Sequence, residues 1–356
     1  MQIHALIDRL GDQTVLALAG LLVGLLFGAA AQQSKFCLRA GVIEFAHGGL
    51  GPKVAIWVLA FSMAVLATQF AILQGWLDVS EARQLATRGS LSGALIGGLL
   101  FGAGMILARG CASRLLVLSA TGNLRAFVTG LILTVVAQAS LRGALSPSRE
   151  ALSMLWTIDG GAARNLLSAM GAGPGFGVIL GLTWLGVGLL IARRNGLGPK
   201  PIVMALLVGL AITLGWLATY WLSTLTFETT RITSVTFTGP SADTLMGLIN
   251  QRSIPLSFDV GLVPGVFIGS LAAALLTREF ALQCFEGGAN MLGYIAGAVL
   301  MGFGGMLAGG CAVGAGVTGA SIFALTGWVA LIGMWAGAIA TEYMVDARPA
   351  RAFARA

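Results

Sequence analysis

The stretch LAGGCAVGAG, residues 307–316, closes a long apolar run and is poor helix. Each of its four glycines (309, 310, 314 and 316) costs about 0.5–1 kcal/mol relative to alanine in a helix interior. A cysteine, Cys311, stands at the break. The break has a counterpart earlier in the chain. GALIGGLLFGAGMILARGCA (93–112) aligns without a gap on GYIAGAVLMGFGGMLAGGCA (293–312). Gly93, Gly97, Leu100, Gly102, Gly104, Leu107, Ala108, Gly110, Cys111 and Ala112 each meet an identical residue 200 positions on. A weaker echo lies outside this block. GLLVGLLFG (20–28) and GLVPGVFIG (261–269) share their glycine spacing, and Phe36-Cys37-Leu38 and Phe280-Ala281-Leu282 follow them.

Composition sets the class around this repeat. Of the 356 residues, 57% are hydrophobic and 10% charged, where a soluble domain carries about 25% charge. Apolar runs near 20 residues recur along the whole length, which marks helices crossing a bilayer. The chain reads as an all-α polytopic membrane protein with about nine transmembrane helices. They lie at roughly 14–32, 53–74, 91–108, 124–142, 175–192, 202–225, 260–277, 290–307 and 324–343. The net charge of +7 is scattered over loops with no basic stripe laced with aromatics, which excludes a nucleic-acid binder. The four cysteines (Cys37, Cys111, Cys284, Cys311) form no C-x-x-C, and the histidines, His4 and His47, offer no metal spacing. The apolar run ending at Ala29-Ala30-Ala31 follows Asp8, Arg9 and Asp12, so it reads as a retained helix rather than a signal peptide.

Alternating the loops puts Lys35, Arg39, Lys53, Arg109, Arg114, Arg125, Arg193, Arg194, Lys200, Arg278, Arg348, Arg351 and Arg355 on one side, 13 of the 21 basic residues. That side is expected to be cytoplasmic, with the N-terminus outside and the C-terminus inside. Two longer loops, about 143–174 and 226–259, then fall outside and read as ordinary exposed loops. They separate repeat one, about 14–142, from repeat two, about 175–343, within a single transmembrane domain. The runs 91–108 and 290–307 cross in opposite senses, so the Gly-Cys breaks enter from opposite faces toward a common axis: an inverted repeat, a plan common among secondary transporters.

After each break comes a stretch too short to span, CASRLLVLSATG (111–122) and CAVGAGVTGAS (311–321). Re-entrant half-helices fit both. Irregular backbone at membrane depth is tolerated only in protein or facing water. A half-helix starting at Cys111 or Cys311 turns free N–H groups and its positive dipole end toward a cavity, which suits an anion. A thiol adds a soft, polarizable wall with a weak donor. Gly110 and Gly310 let backbone approach, and Arg109 either attracts the anion or anchors the cytoplasmic surface. The ladders Gly20/Gly24/Gly28 and Gly261/Gly265/Gly269 are expected to be helix-packing faces. Glu44, Glu286 and Glu342 read as interfacial. No nucleotide or cofactor motif is present, and none is expected. A membrane sulfurtransferase, with one cysteine becoming a persulfide near Arg109, is the alternative in another class.

The paired motifs GMILARGCA (104–112) and GMLAGGCAVGAGVTG (305–319), with FCLRAG (36–41) upstream and F-x-x-x-C-F (280–285) before the second, resemble the YeeE/YedE family of bacterial inner-membrane sulfur transporters. The resemblance implies uptake of thiosulfate, or of a related sulfur or selenium compound, through a funnel lined by substrate-contacting cysteines. By position those are Cys111, Cys284 and Cys311. It also implies a separate small sulfur-carrier partner of the TusA type on the cytoplasmic side, the tail after residue 343 being too short to supply one. The first break reads ARGCASR where the second has Gly-Gly-Cys, so the two thiol sites are not equivalent.

Overall fold

The structure, a computed structural model, describes residues 10–225, 231–252, 254–284 and 289–353, with 289, 290 and 346–353 described by backbone alone. His4 and Glu286 lie outside the described residues. The regular secondary structure of the described residues is helical apart from a two-residue antiparallel ladder pairing Gly89–Ser90 with Thr157–Ile158 and two isolated bridges. Among the described residues, nine helical stretches are long and apolar enough to cross a membrane, one at each expected position.

The long elements are α1 (Asp12–Ser34), α2 (Leu38–Ala46), α3 (Pro52–Leu73), α4 (Leu91–Leu107), α5 (Ala112–Ala120), α6 (Leu124–Arg142), α7 (Pro174–Arg194), α8 (Pro199–Leu225), α9 (Thr238–Asn250), α10 (Phe258–Leu276), α11 (Ala289–Leu307) and α12 (Leu325–Phe353). Two pairs hold the centre. Helices α1 and α10 run parallel, their glycine ladders face to face. A β-carbon on Gly24 would stand 2.5 Å from the Leu262 carbonyl oxygen, and one on Gly265 would strike the Leu21 carbonyl. With no hydrophobic drive between helices in lipid, such backbone contact supplies the packing. The ladders are packing faces, as the sequence suggests.

Helices α4 and α11 run antiparallel, and their contacts obey a two-fold rule. A β-carbon on Gly97 would lie 2.5 Å from the Gly304 oxygen and 2.5 Å from the Ala308 nitrogen. Its repeat partner Gly297 would meet the Gly104 oxygen at 2.6 Å and the Ala108 nitrogen at 2.5 Å. The two Gly-Cys breaks therefore sit at opposite ends of this pair. Ala308 is level with Gly97 and Ala108 with Gly297, and 11 residues separate Gly97 from Ala108. At about 1.5 Å per residue that is about 16 Å.

After each break a half-helix follows, α5 in the first case and residues 312–321 in the second. Each ends in a tight turn pinned by a strip from elsewhere. Ala281 N–H donates to the Thr121 oxygen (3.2 Å) and Gln283 N–H to the Gly122 oxygen (3.0 Å). In the second, Leu166 N–H donates to the Phe323 oxygen at 2.9 Å. The second half-helix is one residue longer, and it holds the extra residue as a π-helical turn over Ala312–Thr318, with Cys311 O accepting from both Ala315 N (2.8 Å) and Gly316 N (3.4 Å). The repeat offset accordingly steps from 200 at Cys111/Cys311 to 201 at Leu124/Leu325, where α6 and α12 begin.

Two expectations need correction. The 226–259 region is no ordinary exposed loop. Residues 231–237 run without regular secondary structure into the interior, where Ser234 and Val235 are wholly buried and Phe237 is 1% exposed. Thr219 Oγ1 donates to the Thr233 oxygen (2.6 Å) and Thr318 Oγ1 to the Val235 oxygen (2.7 Å), so hydroxyls from α8 and the half-helix satisfy this backbone where water cannot. The 143–174 region likewise carries an inward residue, Arg164, 5% exposed. There is also a third broken span. After α1, Lys35 takes a left-handed conformation (φ 57°), Cys37 is extended, and the nine-residue α2 begins.

Candidate functional site: buried thiols and an arginine chamber

The second break lies under a cavity of about 320 Å³. Gly309, Gly310 and Gly314 line it around Cys311, whose own side chain is 1% exposed. The Cys311 sulfur accepts the Gly314 N–H at 3.4 Å, so the thiol caps the half-helix it begins. Glycine is required on either side of it. A β-carbon on Gly310 would fall 2.8 Å from the Ala315 nitrogen, and one on Gly314 would strike the Thr236 hydroxyl. Gly309 is left-handed (φ 83°), as is its repeat partner Arg109 (φ 56°), because each turns the chain after a helix end.

Charge enters this chamber from four separate segments. Arg83, Arg142, Arg149 and Arg231 line it with Asp243 and Asp259, so the wall is net positive and draws in anions. The Arg83 Nη2 donates to the Gly309 carbonyl at 3.3 Å, joining the basic wall to the loop before Cys311. Burial works against the Arg83 charge, and Asp259 offsets it in part.

The first break is built differently. Cys111 is 2% exposed, and its sulfur lies 3.3 Å from the Ser113 hydroxyl. Its other neighbour is the Cys37 thiol, close enough for the two groups to influence each other electrostatically. Both cysteines occupy the N-cap of a nine-residue half-helix, α2 and α5, so two positive helix ends converge on one thiol pair. Arg39 and Arg114 add their charge beside Cys37. Arg39 Nε and Arg114 Nη1 are buried and have no hydrogen-bond partner among the described residues. Two thiols, two helix N-termini and two unsatisfied guanidinium donors make a second place suited to an anion.

The remaining sequence candidates fall elsewhere. Arg109 is exposed and lies over the Tyr294 ring, 5.9 Å from its centroid, away from the thiol pair. Gly110 is buried beside Leu115. Cys284 is exposed on the strip that pins the 121–123 turn. Glu44 is a helix cap, its Oε2 accepting from Lys53 N (2.9 Å) and Val54 N (2.8 Å) at the start of α3. The arginines of the chamber were missed by the motif reading, and Cys37, noted there within FCLRAG, was not placed among the substrate-contacting cysteines. Cys37 had a signal, since LRAGVIEFA after it matches ASRLLVLSA after Cys111 in length and apolar character. Among the described residues no cluster of His, Cys, Asp and Glu could hold a metal.

A family model described as sulphur transport matches residues 33–340. The thiosulfate transporter TsuA of Escherichia coli (strain K12) is 28% identical over 352 residues, covering 94% of this chain and 96% of that protein. The thiosulfate transporter TsuA of Spirochaeta thermophila is 29% identical over 346 residues, covering 89% of this chain and 96% of its own. With nine apolar spans among its described residues, a two-fold pair of broken helices and a family match over most of its length, the chain is a multi-pass membrane protein that belongs to the sulphur transport (YeeE/YedE) family.

Proposed function

We propose that this chain carries thiosulfate, or a closely related sulfur anion, across the bacterial inner membrane into the cytoplasm, with the N-terminus outside. The observation that carries the reading is the staging of soft, buried thiols beneath an arginine chamber: Cys311 at one end of the α4/α11 pair, Cys111 with Cys37 at the other. The dianion enters over Arg231 and Arg83 and loses part of its water to their N–H groups. It passes Gly310 to Cys311, whose S–H donates to the terminal sulfur. The next station, about 16 Å on at about 1.5 Å per helical residue, is the Cys111/Cys37 pair, where Arg39 and Arg114 offset the charge. Cys284 lies on the exit surface, where a TusA-like carrier would receive the product. Both named relatives are thiosulfate transporters, which supports the substrate.

Growth tests this. In a cell stripped of its other sulfate and thiosulfate importers, the chain supports growth on thiosulfate, and Cys311→Ala or Cys111→Ala abolishes it. Unchanged growth of both variants, at normal protein level in the membrane, contradicts the relay.

One observation favours a covalent variant of the same reading. Arg39 and Arg114 stand beside Cys37, so a Cys37 thiolate is placed to attack the sulfane sulfur of thiosulfate. The sulfur–sulfur bond breaks, sulfite leaves with its electron pair, and a persulfide remains. Mass spectrometry after thiosulfate exposure separates the two, since only the covalent route leaves one extra sulfur on the Cys37 or Cys111 peptide.

A further inference from the structure

A second chamber adjoins the first. Its volume is about 270 Å³, and it shares Arg83, Arg149 and Gly309 with its neighbour. It runs behind the second half-helix to Gly319, Thr326 and Gly327 rather than toward Gly310 and Gly314. The transport path described above does not use it.

Arg164 is the residue that gives this chamber its chemistry. It is 5% exposed and comes from the 143–174 region. Its Nη1 donates to the backbone oxygens of Thr87 (2.5 Å) and Arg83 (3.2 Å), and its Nη2 to the Thr326 hydroxyl (2.8 Å). All of these acceptors are neutral. No described carboxylate pairs with it: Asp159 stands 3.8 Å from Arg88, and Glu150 3.2 Å from Arg149. Its Nε is buried and has no partner among the described residues. That nitrogen faces Gly89, where a β-carbon would lie 2.6 Å away, so any side chain at 89 would cover it. Burial, with the like charge of Arg83, lowers the Arg164 pKa to about 10. A buried cation held only by neutral oxygens is costly, and an anion is what offsets that cost.

We propose that this side chamber is a second oxyanion site, taking a tetrahedral dianion of the sulfate or thiosulfate class on Arg164, separate from the path over Cys311. Arg83 and Arg149 stand between the two chambers, so an anion in the side chamber shares their charge with one in the path. Occupancy of one site then weakens the other, the condition under which a tightly held ion is released onward. The inference stands apart from the transport reading, because sulfate serves as a probe whether or not thiosulfate is carried.

The test is titration calorimetry of the purified full chain with sodium sulfate and, separately, sodium thiosulfate. Wild type is expected to bind two equivalents of one or both anions. Arg164→Gln, which keeps a donor for Thr326, is expected to lose one equivalent or weaken it at least tenfold, while Arg231→Gln weakens the other. An Arg164→Gln protein that titrates like wild type overturns the proposal. If that variant does not yield monodisperse protein, wild-type crystals soaked in selenate decide. An anomalous peak within hydrogen-bonding reach of Arg164 Nε supports the site, and selenium confined to the larger chamber, or absent from both, overturns it.

Discussion

The two Gly-Cys breaks descend from one motif and have come to different ends. Cys311 caps its own half-helix, under a net-positive chamber lined by loops. Cys111 leaves the cap unmade and turns to Ser113 and to a second thiol, Cys37. Behind the Cys311 half-helix stand Phe61, Trp184, Phe323 and Trp328, ring against ring at 5.3–5.8 Å. Behind α5 lies an apolar groove of about 200 Å³ between α6, α9 and α10. The α4/α11 pair keeps the symmetry that backbone contact imposes, while the segments after the breaks diverge. Symmetric scaffolding thus carries two unlike thiol sites, one under a basic chamber and one buried beside a second thiol.

The largest expected effect breaks the scaffold they share. Gly304→Leu drives a side chain into the backbone of α4 at Gly97 and Phe101. Overpacking of this kind costs about 1–3 kcal/mol or more, and the expected result is loss of folded protein by size-exclusion profile and thermal melting. Next comes the π turn. Deleting Ala315 removes the extra residue and makes the second half-helix as short as the first. The protein is expected to fold, and thiosulfate uptake to fall at least tenfold as Cys311 and its capping N–H lose register. Uptake within twofold of wild type would show that the turn is passive.

The two stations separate by charge. Arg231→Gln is expected to raise the KM for uptake about three- to tenfold and to reduce its dependence on salt, because an exposed charge at a mouth acts on encounter. Arg114→Gln, at the buried station, is expected to lower the maximal rate instead. The smallest effect is at the end of α1. Lys35 and Gln32, at the end of α1, both donate to Glu279, just beyond α10, and the Lys35 bond holds the Glu279 carboxyl below its usual pKa. A depressed carboxyl stabilises the fold above its unfolded pKa, and this contribution is lost as pH falls through the folded one. Stability should therefore dip only below about pH 4. The pair is exposed and screened, so Glu279→Gln is expected to cost less than about 1 kcal/mol in a melting experiment at pH 7.

How much of this was legible in the sequence follows from what each part depends on. Nine spans, the repeat and the breaks at Cys111 and Cys311 rest on local composition and on glycine spacing, which a chain displays in order. The contact between Cys37 and Cys111 joins residues 74 positions apart and depends on how α1 packs against α5, which no periodicity records. The arginine chamber is harder still to read. Arg83, Arg142, Arg149 and Arg231 come from separate segments, and each alone looks like an ordinary loop cation. Arg109 shows the converse. It sits in the motif itself, yet its left-handed backbone turns it out over Tyr294. Residues 231–237 read as a polar loop because their threonines and serines are polar, and those same hydroxyl-rich surroundings let the segment go inside.

The central claim is that Cys311 and Cys111 both face the route of a sulfur anion, reached from opposite surfaces. Labelling by a small thiol reagent, followed residue by residue by mass spectrometry in sealed vesicles of each orientation, tests it most directly. Thiosulfate is expected to slow modification of both cysteines, with Cys311 reached from the arginine side and Cys111 from the other. Modification rates that thiosulfate leaves unchanged at both positions would contradict the account.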